Sequence, residues 1–480
     1  MQKVDSVFQK PLQAALGSAL AYLEGLDRSP VAATVDLSVL RQRIGRPLAN
    51  DGVPAAQVVA DLVQDVEGGI LGSAGGRFFG WVIGGSLPAA LAADWLTSAW
   101  DQNSGHHTCG PAAAVVEEVA GKWLKEILRL PSHASFALVT GCQMAHVTCL
   151  AAARHAVLAK RGWDLEKQGL YGAPPIRIVT SDKRHETFDR AVRLLGLGLA
   201  QVEYVPANSD GQLPADALEQ TLKGRSTEPT IVLLQAGDVN TGKYDSFETL
   251  VPIAKHHGAW VHVDGAFGLW AAACERYRQL VKGVEEADSW ATDGHKWLNV
   301  PYDCGYAFVA DAEAHRSSMT SRAAYLNHDG DARDQLDWTP EWSRRARAFP
   351  TYAALRQLGR SGVQDLVERC CKHAHDLVME IGGLPGAEVV SEPVINQGLV
   401  RFLDPSSNAT DADHDRRTEE VIACILASGE AFFGGTTWQG RRAMRVSVTG
   451  WLTSDEDVRR VVRAVAGVLA ATRAHPVNVG

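Results

Sequence analysis

A chain of 480 residues is too long for one small hydrophobic core, and its formal net charge of −9 offers no basic surface for nucleic acid. Hydrophobic residues make up 46% of the chain and charged residues 21%, which is typical of a folded globular protein and not of a disordered one. The eight cysteines include no CxxC pair, so they favour a reduced, cytoplasmic protein over a disulfide framework or a zinc site.

The predicted elements divide the chain into three parts. In residues 1–95 the apolar residues recur at helical spacing up to a glycine-rich connector, which predicts a helical N-terminal segment. In residues 96–355 short apolar strands alternate with helices, the pattern of a large α/β domain with a mainly parallel sheet. In residues 356–480 the strands are shorter, which predicts a small α+β C-terminal domain. Within it, the polar stretch 404–418 is predicted to be a loop.

Short apolar runs locate the strands along the chain. The runs with the length and composition of buried strands are 136–139, 176–180, 202–205, 230–235 and 260–263, with two more at 400–403 and 443–448. Helices are predicted over 111–130, 143–159 and 186–195. Ligands of such sheets bind at the carboxyl ends of the strands, so the residues that follow each strand are the candidate site.

Two of these strand ends carry residues suited to a flat, phosphorylated ligand. Gly141, Cys142 and Gln143 follow the first strand and open a helix, whose free N–H groups and positive dipole end suit a phosphate. His185 follows the second strand, where an imidazole can stack on an aromatic cofactor. Taken alone, each segment is more often a tight connection or a helix start.

Two later segments supply a carboxylate and an amine. Asp264 ends a hydrophobic strand, where a carboxylate is costly unless it is paired, either in a turn or with a protonated heterocyclic nitrogen. Lys296 lies between His295 and Trp297, and lysines are rarely buried without a partner or a role. A desolvated lysine with a lowered pKa forms a Schiff base readily. Together the four segments indicate pyridoxal 5'-phosphate (PLP), whose cationic ring serves as an electron sink.

The run Trp-Val-His-Val-Asp-Gly-Ala-Phe at 260–267, combined with His-Lys-Trp at 295–297, resembles the PLP-dependent group II amino-acid decarboxylases, which include aromatic-amino-acid and glutamate decarboxylases. The similarity is densest over 260–309 and extends more loosely over 78–457. It implies the α/β fold of the aspartate aminotransferase-like PLP-dependent transferases. It also implies a homodimer whose active site lies between the subunits.

The resemblance implies a role for each matching residue. Lys296 would bind PLP covalently, Asp264 would pair with the pyridine nitrogen, and His185 would stack on the ring and help to handle protons. The other residues expected to hold the cofactor, mainly its phosphate, are Gly141, Cys142, Gln143, Asp238, Ala266 and His295. Asp238 stands where the family often has threonine or asparagine, and it can equally be an ordinary turn residue.

Two departures from the family bear on the reaction. Family decarboxylases usually carry a tyrosine on a mobile loop, which returns a proton after CO2 leaves. Alignment places Gln335 at that position and Tyr325 in an earlier part of the pattern, which leaves His328 as a possible substitute. The phosphate turn at 142–146 is also unusual, because small hydroxyl residues are commoner there.

The leading prediction is PLP-dependent decarboxylation of an L-amino acid to its amine, with an aromatic or bulky substrate favoured by the aromatic patch at 78–81. Aldehyde-forming deamination, transamination and aldolase-type cleavage remain alternatives, since the loop tyrosine is missing. A non-catalytic PLP-fold binding protein is disfavoured because Asp264, His185 and Lys296 are all present. We expect no membrane partner, since no apolar stretch reaches roughly 18 uninterrupted residues. We also expect no metal, because the histidines at 106–107 lack a second ligand cluster.

Overall fold

The computed structural model describes residues 4–320 and 333–474, which contain a seven-stranded sheet and a four-stranded sheet. The strands are β1 (Ser135–Val139), β2 (Arg177–Ser181), β3 (Val202–Val205), β4 (Thr230–Gln235), β5 (Trp260–Asp264), β6 (Ser289–Asp293), β7 (Gly305–Val309), β8 (Ala387–Ser391), β9 (Gln397–Phe402), β10 (Gly434–Trp438) and β11 (Arg441–Ser447). The α-helices are α1 (Val4–Gly25), α2 (Leu37–Ile44), α3 (Ala55–Asp65), α4 (Pro88–Trp100), α5 (Pro111–Ile127), α6 (Cys142–Ala159), α7 (Leu165–Gln168), α8 (Glu186–Leu194), α9 (Ala215–Leu222), α10 (Phe247–His256), α11 (Ala312–Met319), α12 (Ala348–Gly382), α13 (Asp411–Ser428) and α14 (Asp455–Ala474).

The seven-stranded sheet has the order β1-β7-β6-β5-β4-β2-β3 and is mainly parallel, as predicted. Only β7 runs against its neighbours, β1 on one side and β6 on the other. The carboxyl ends of β1, β2, β5 and β6 therefore lie along one edge of the sheet. All four segments singled out in the sequence follow strands that end at this edge.

Alternating side chains of the central strands pack into two hydrophobic cores, one on each face of the sheet. Ile231 and Leu233 of β4 join the core built around α6 and α8, whereas Val232 and Leu234 join the core on the opposite face. This alternation follows from the two-residue period of a strand. Helices on both faces bury β4 completely, and they hold the site edge in a fixed position.

The smaller sheet has the antiparallel order β10-β11-β9-β8 and is packed by α12 and α13, which confirms the predicted α+β C-terminal fold. Helix α12 connects it to the larger part and bends at Gly359, whose φ of 61° is a conformation that glycine tolerates best. The predicted boundary between residues 355 and 356 lies close to this bend, and the three-part division of the chain stays a prediction.

One predicted element is wrong. The stretch 404–418 is not all loop, because α13 begins at Asp411. Thr410 accepts a hydrogen bond from the backbone N–H of Asp413, and the Asp413 side chain accepts one from the N–H of Thr410. This reciprocal cap, with acidic residues in the first turn, stabilises a helix start whose sequence is as polar as that of a loop.

The N-terminal helices leave many apolar side chains uncovered. Phe8, Leu12, Leu16 and Leu20 of α1 are all exposed, and so is Leu62 of α3, which packs beside α1. Among the residues described, no helix is both long enough and apolar enough to cross a membrane.

Candidate active site

Lys296 follows β6 and is held by a carboxylate. Its Nζ lies 3.1 Å from Oδ2 of Asp293, and its side chain is 19% exposed. Burial lowers the pKa of Lys296, but the negative charges of Asp293 and Asp264 outweigh burial, so the pKa is raised. The lowered pKa expected from the sequence is therefore wrong, because that argument did not include the carboxylate of Asp293.

Asp293 is a site residue that the sequence reasoning missed. It ends β6, is almost fully buried, and accepts a 2.6 Å hydrogen bond from the backbone N–H of Cys142 at the start of α6. It thereby connects the first turn of α6 to Lys296. Its position at a strand end, three residues before the lysine, could have indicated a site residue. An aspartate in an ordinary turn gives the same pattern.

Asp264 lies at the end of β5 and is fixed from two sides. Its Oδ1 accepts a 3.1 Å hydrogen bond from the backbone N–H of Ala266, and its Oδ2 lies 3.5 Å from Nε2 of His146. Burial would raise the pKa of this carboxyl, but His146, together with the nearby His185 and Lys296, holds it well below its usual range. Asp264 is therefore ionised at every physiological pH.

Behind Asp264 lies a buried network that the sequence did not predict. Nδ1 of His146 lies 2.9 Å from Nε2 of His262, and Nδ1 of His262 lies 2.9 Å from Oγ of Ser289. The indole N–H of Trp260 donates to the same hydroxyl at 2.9 Å. Burial lowers the pKa of His262 to about 3, and the neighbouring His146 adds to this effect, so His262 is neutral.

His185 caps the start of α8, on the side of the site formed by β2. Its Nδ1 accepts from the backbone N–H of Thr187 and lies 2.8 Å from the hydroxyl of the same residue. The surrounding protein lowers the pKa of His185, the charge of Lys296 lowers it further, and Asp264 opposes this shift. The charges of Asp264 and Lys296 thus act on His185, and its stacking on the cofactor ring stays a prediction.

The predicted phosphate turn is built around a close backbone approach. Gly141 precedes α6, and a side chain at Gly305 of β7 would collide with the Gly141 backbone. The Gln143 amide donates to the carbonyl of Thr187, so it links α6 to the start of α8. Nδ1 of His295 donates to the carbonyl of Cys304, which leaves Nε2 to face a ligand. In the neutral ring Nε2 is an acceptor, so His295 would donate to a phosphate only as an imidazolium.

Asp238 lies in a tight turn after β4. Its Oδ1 accepts hydrogen bonds from the backbone N–H groups of Asn240 and Thr241 and from the Thr241 hydroxyl, which is the pattern of a turn aspartate. Burial raises the pKa of this carboxyl. Its Oδ2 is buried and has no hydrogen-bond partner among the described residues, so it stays available to a ligand.

A segment of the N-terminal part reaches Lys296. A Cβ at Gly84 would collide with the carbonyl oxygen of Lys296, so only glycine fits there. The same segment carries Trp81, which is 55% exposed and lies 4.9 Å, centroid to centroid, from Phe432. Trp81, the last residue of the aromatic patch at 78–81, therefore lies three positions before Gly84, the residue that contacts Lys296. Gly84 is a second site residue that the sequence reasoning missed.

The loop residues expected to control proton return are only partly described. Tyr325 and His328 lie outside the described residues. Gln335 is fully buried in a short 3₁₀ turn and donates to the carbonyl of Ala114 in α5. Its assignment to the position of the family tyrosine stays a prediction.

The histidines at 106–107 meet a carboxylate from a distant part of the chain. Asp334 lies 3.3 Å from Nε2 of His106 and 2.8 Å from Nδ1 of His107. The pair therefore joins the loop before α5 to the chain that leads into α12. Asp334 could not be assigned to these histidines from the sequence, because 227 residues separate it from His107.

The site fits PLP in four respects. Lys296 supplies a primary amine, and Asp264 supplies a permanently ionised carboxylate of the kind a pyridinium nitrogen requires. The start of α6 supplies the backbone N–H groups and the positive dipole end that bind phosphate. Gln143 Oε1 and Asp238 Oδ2 are buried acceptors that lack partners within the described part of the chain, as polar atoms in a ligand site do.

Comparison with known protein families settles the family. The model of the pyridoxal-dependent decarboxylase conserved domain matches residues 40–403. The chain belongs to the pyridoxal-dependent decarboxylase family. This confirms PLP as the cofactor and confirms the prediction of a PLP-dependent amino-acid decarboxylase.

Individual relatives are distant but cover almost the whole chain. Tryptophan decarboxylase 1 of Oryza sativa subsp. japonica is 27% identical over 464 residues, which are 91% of this chain and 89% of that protein. Phenylacetaldehyde synthase of a Rosa hybrid cultivar is 25% identical over 462 residues, with the same two coverages of 91% and 89%. The crystal structure of Oryza sativa TDC with PLP and tryptamine superposes with a TM-score of 0.91 at 23% identity, covering 98% of this chain and 99% of that one. This likeness confirms the fold.

Proposed function

We propose that this family member removes the α-carboxylate of an aromatic L-amino acid and releases the amine. The observation that carries the proposal is the convergence of Lys296, Asp264 and His185 at one sheet edge, with an exposed aromatic side chain on the segment that contacts Lys296. The relatives named for tryptophan decarboxylation and phenylacetaldehyde synthesis support an aromatic substrate.

When bound, PLP supplies an electron sink that stabilises negative charge at the substrate α-carbon. Lys296 would hold the cofactor through its amine, and Asp293 would receive that amine as an ammonium whenever the substrate replaces it. Asp264 would keep the ring nitrogen protonated, because its own carboxyl stays ionised. His185 would cover the ring and exclude water from that face.

The aromatic preference is supported by an apolar cluster on the segment that leads to Gly84, which lies against the Lys296 carbonyl oxygen. Phe78 stacks on Phe432 with centroids 4.6 Å apart, and Trp81 leans on the same ring while more than half of its surface remains exposed. Aromatic rings bind other rings with more energy than their buried area alone provides. A carboxylate on the substrate side chain would gain nothing from this cluster.

The test is a screen of the purified, PLP-loaded protein against the twenty common amino acids. Released CO2 and the product amine are both measured, and the Lys296→Ala variant serves as the blank. Release of CO2 and amine from tryptophan, tyrosine or phenylalanine is expected. A clear preference for glutamate or another charged amino acid would contradict the proposed substrate class.

A second candidate, oxidative production of an aldehyde, is favoured by the state of Gln335. A buried glutamine amide donating to Ala114 cannot return a proton to carbon, and the tyrosine expected at this position is absent. In this route the substrate and O2 with water give aldehyde, CO2, ammonia and hydrogen peroxide. Peroxide formed in proportion to CO2 identifies this route, whereas amine formed in proportion to CO2 excludes it.

We further propose that the protein is a cytoplasmic homodimer. The exposed apolar side chains of α1 and α3 form a face too apolar to remain in water, and a second copy of the chain offers the same face by two-fold symmetry. Eight cysteines without a disulfide support a reducing compartment. Sedimentation analysis is expected to give twice the 51.7 kDa chain mass.

The dimer proposal has a matched pair of variants. Leu12→Glu with Leu16→Glu puts two charges on the exposed face of α1 and is expected to give monomers. Leu194→Glu changes an equally exposed leucine at the end of α8 and is expected to leave the dimer intact. A dimer that survives the α1 substitutions would contradict the proposed interface.

A further inference from the structure

When both histidines are neutral, one arrangement of protons gives every ring nitrogen of the network behind Asp264 a partner. The Trp260 indole donates to the Ser289 hydroxyl, so that hydroxyl is free to donate to Nδ1 of His262. Nε2 of His262 then carries the ring proton and donates to Nδ1 of His146. Nε2 of His146 therefore carries a proton as well, and it lies 3.5 Å from Oδ2 of Asp264 and 3.5 Å from Sγ of Cys142.

In the reverse arrangement Nδ1 of His146 is the donor, and Nε2 becomes an acceptor beside an ionised carboxylate. That acceptor is satisfied only if the thiol of Cys142, whose Sγ lies 3.5 Å away, donates to it or if the ring takes up a proton. His146 and His262 have no exposed surface, so water cannot supply a donor. Because an S–H group is a weak donor, the first arrangement, with Nε2 of His146 protonated beside Asp264, is the better satisfied one.

The charged and titratable groups around Asp264 come from three elements. His146 and Cys142 face it from α6, His185 faces it from the start of α8, and Lys296 faces it from the end of β6. When Lys296 is engaged with the cofactor and His185 is neutral, His146 is the group left to offset the burial of the carboxylate. Nothing in the proposed reaction uses His146, His262 or Ser289 directly.

We propose that Ser289, His262 and His146 form a relay that positions Asp264 and keeps it ionised, and so holds the cofactor ring nitrogen in its protonated form. The three are positioning residues, because only Asp264 would touch the cofactor. The unusual histidine in the phosphate turn, which the phosphate itself does not explain, is the end of this relay. The inference rests on the assignment of Asp264 to the ring nitrogen.

The first test measures PLP affinity and cofactor protonation in relay variants. His146→Leu removes the donor to Asp264, and His146→Gln restores an N–H near the position of Nε2. We expect His146→Leu to raise the PLP dissociation constant about tenfold, the ratio that corresponds to one pKa unit on the ring nitrogen, and His146→Gln to recover most of it. His155→Leu, a histidine on the same helix that pairs with Glu166 at the surface, is the control and is expected to change nothing.

The second test separates positioning from simple packing. The ¹⁵N chemical shift of PLP labelled at its ring nitrogen reports whether that nitrogen carries a proton. The wild type is expected to keep the protonated signal from pH 6 to 9, whereas His146→Leu loses it toward the alkaline end. Ser289→Ala, which removes one oxygen and leaves the packing volume almost unchanged, is expected to shift the signal in the same direction by a smaller amount.

The outcomes are decisive in either direction. If His146→Leu and Ser289→Ala keep the wild-type affinity and the protonated nitrogen while Asp264→Asn loses both, the relay is refuted and the assignment of Asp264 stands. If Asp264→Asn also keeps both, the assignment of Asp264 itself is wrong. A graded loss in the order Asp264→Asn, His146→Leu, Ser289→Ala, with recovery in His146→Gln, is the result that the relay requires.

Discussion

Lys296 is the residue on which the assignment of the site depends. Replacing it by alanine removes the amine at the end of β6, and we expect no covalent PLP adduct after borohydride reduction and no measurable turnover. Intact-protein mass spectrometry with and without reduction measures the adduct. Lys183→Ala, a partly exposed lysine beside the start of α8, is the control and keeps the adduct. An adduct that persists in Lys296→Ala would place the reactive lysine elsewhere.

Asp264 is expected to matter more than His185 because it sets the charge of the ring. Asp264→Asn keeps the size of the side chain but cannot hold the nitrogen protonated, so we predict weaker PLP binding and a rate loss of about 100-fold, or roughly 2.7 kcal/mol. His185→Ala removes a packing surface and should cost less. Steady-state rates of both variants at saturating PLP give the comparison. Near-native turnover in Asp264→Asn would contradict the assigned role.

Whether a site residue could be predicted from the sequence depends on how far along the chain its contacting partners lie. Asp264 ends a strand and His185 follows one, and both strands are recognisable in the sequence, so the meeting of these two residues follows from the parallel sheet alone. Lys296 was recognised from the His-Lys-Trp run at 295–297, although the strand before it was not. Gly84 belongs to the site because it contacts Lys296, more than two hundred residues away along the chain. His146 belongs to it because it contacts His262. Those contacts depend on how helices and loops pack on the sheet, which no local pattern records.

At the scale of elements, the segment before α4 limits where the backbone of Lys296 can lie. A methyl group at Gly84 meets the Lys296 carbonyl oxygen, which belongs to the backbone and cannot turn aside. Gly84→Ala should displace Lys296 and raise the PLP dissociation constant at least about tenfold, while lowering the melting temperature. Gly17→Ala in α1 is the matched control, since its added methyl group meets nothing within 4 Å and alanine favours a helix. Equal PLP affinity in both variants would contradict the contact.

The elements that the sequence predicted correctly share one property. Strands β1 to β5 are buried apolar runs bounded by turns, and each was placed within about one or two residues. The strand β6 was not predicted, because its sequence Ser-Trp-Ala-Thr-Asp mixes hydroxyl and acidic groups with few apolar ones. Those polar groups face the site and the relay, since Ser289 bonds His262 and Asp293 holds Lys296. The polar residues that the site requires thus make β6 difficult to recognise as a strand from its sequence.

At the scale of the whole molecule, the buried neutral histidines lower the stability of the folded protein at acidic pH. His262 and His315 are fully buried, and burial lowers the pKa of each from 6.5 to about 3. Below pH 6.5 these two side chains bind protons in the unfolded chain but not in the folded chain. Both groups therefore lower the free energy of unfolding as the pH falls toward 3. Asp245 acts in the opposite direction, because burial raises its pKa to about 6, and its folded form binds a proton first. His185, His295 and His373, whose pKa values burial also lowers, act in the same direction as His262 and His315, so the unfolded chain binds more protons than the folded chain between about pH 4 and 6.

We therefore predict that the free energy of unfolding falls on acidification through that range, with each fully buried histidine contributing about 1.4 kcal/mol per pH unit, the value for one proton. Urea denaturation at a series of pH values measures this slope. His315→Gln keeps a donor for the carbonyl of Trp338 but cannot take up a proton on unfolding, so its slope between pH 4 and 6 should be smaller than that of the wild type by about this amount. His155→Gln, which changes a histidine paired with Glu166, is the control and should keep the wild-type slope. An unchanged slope in His315→Gln would show that the acid sensitivity does not arise from His315.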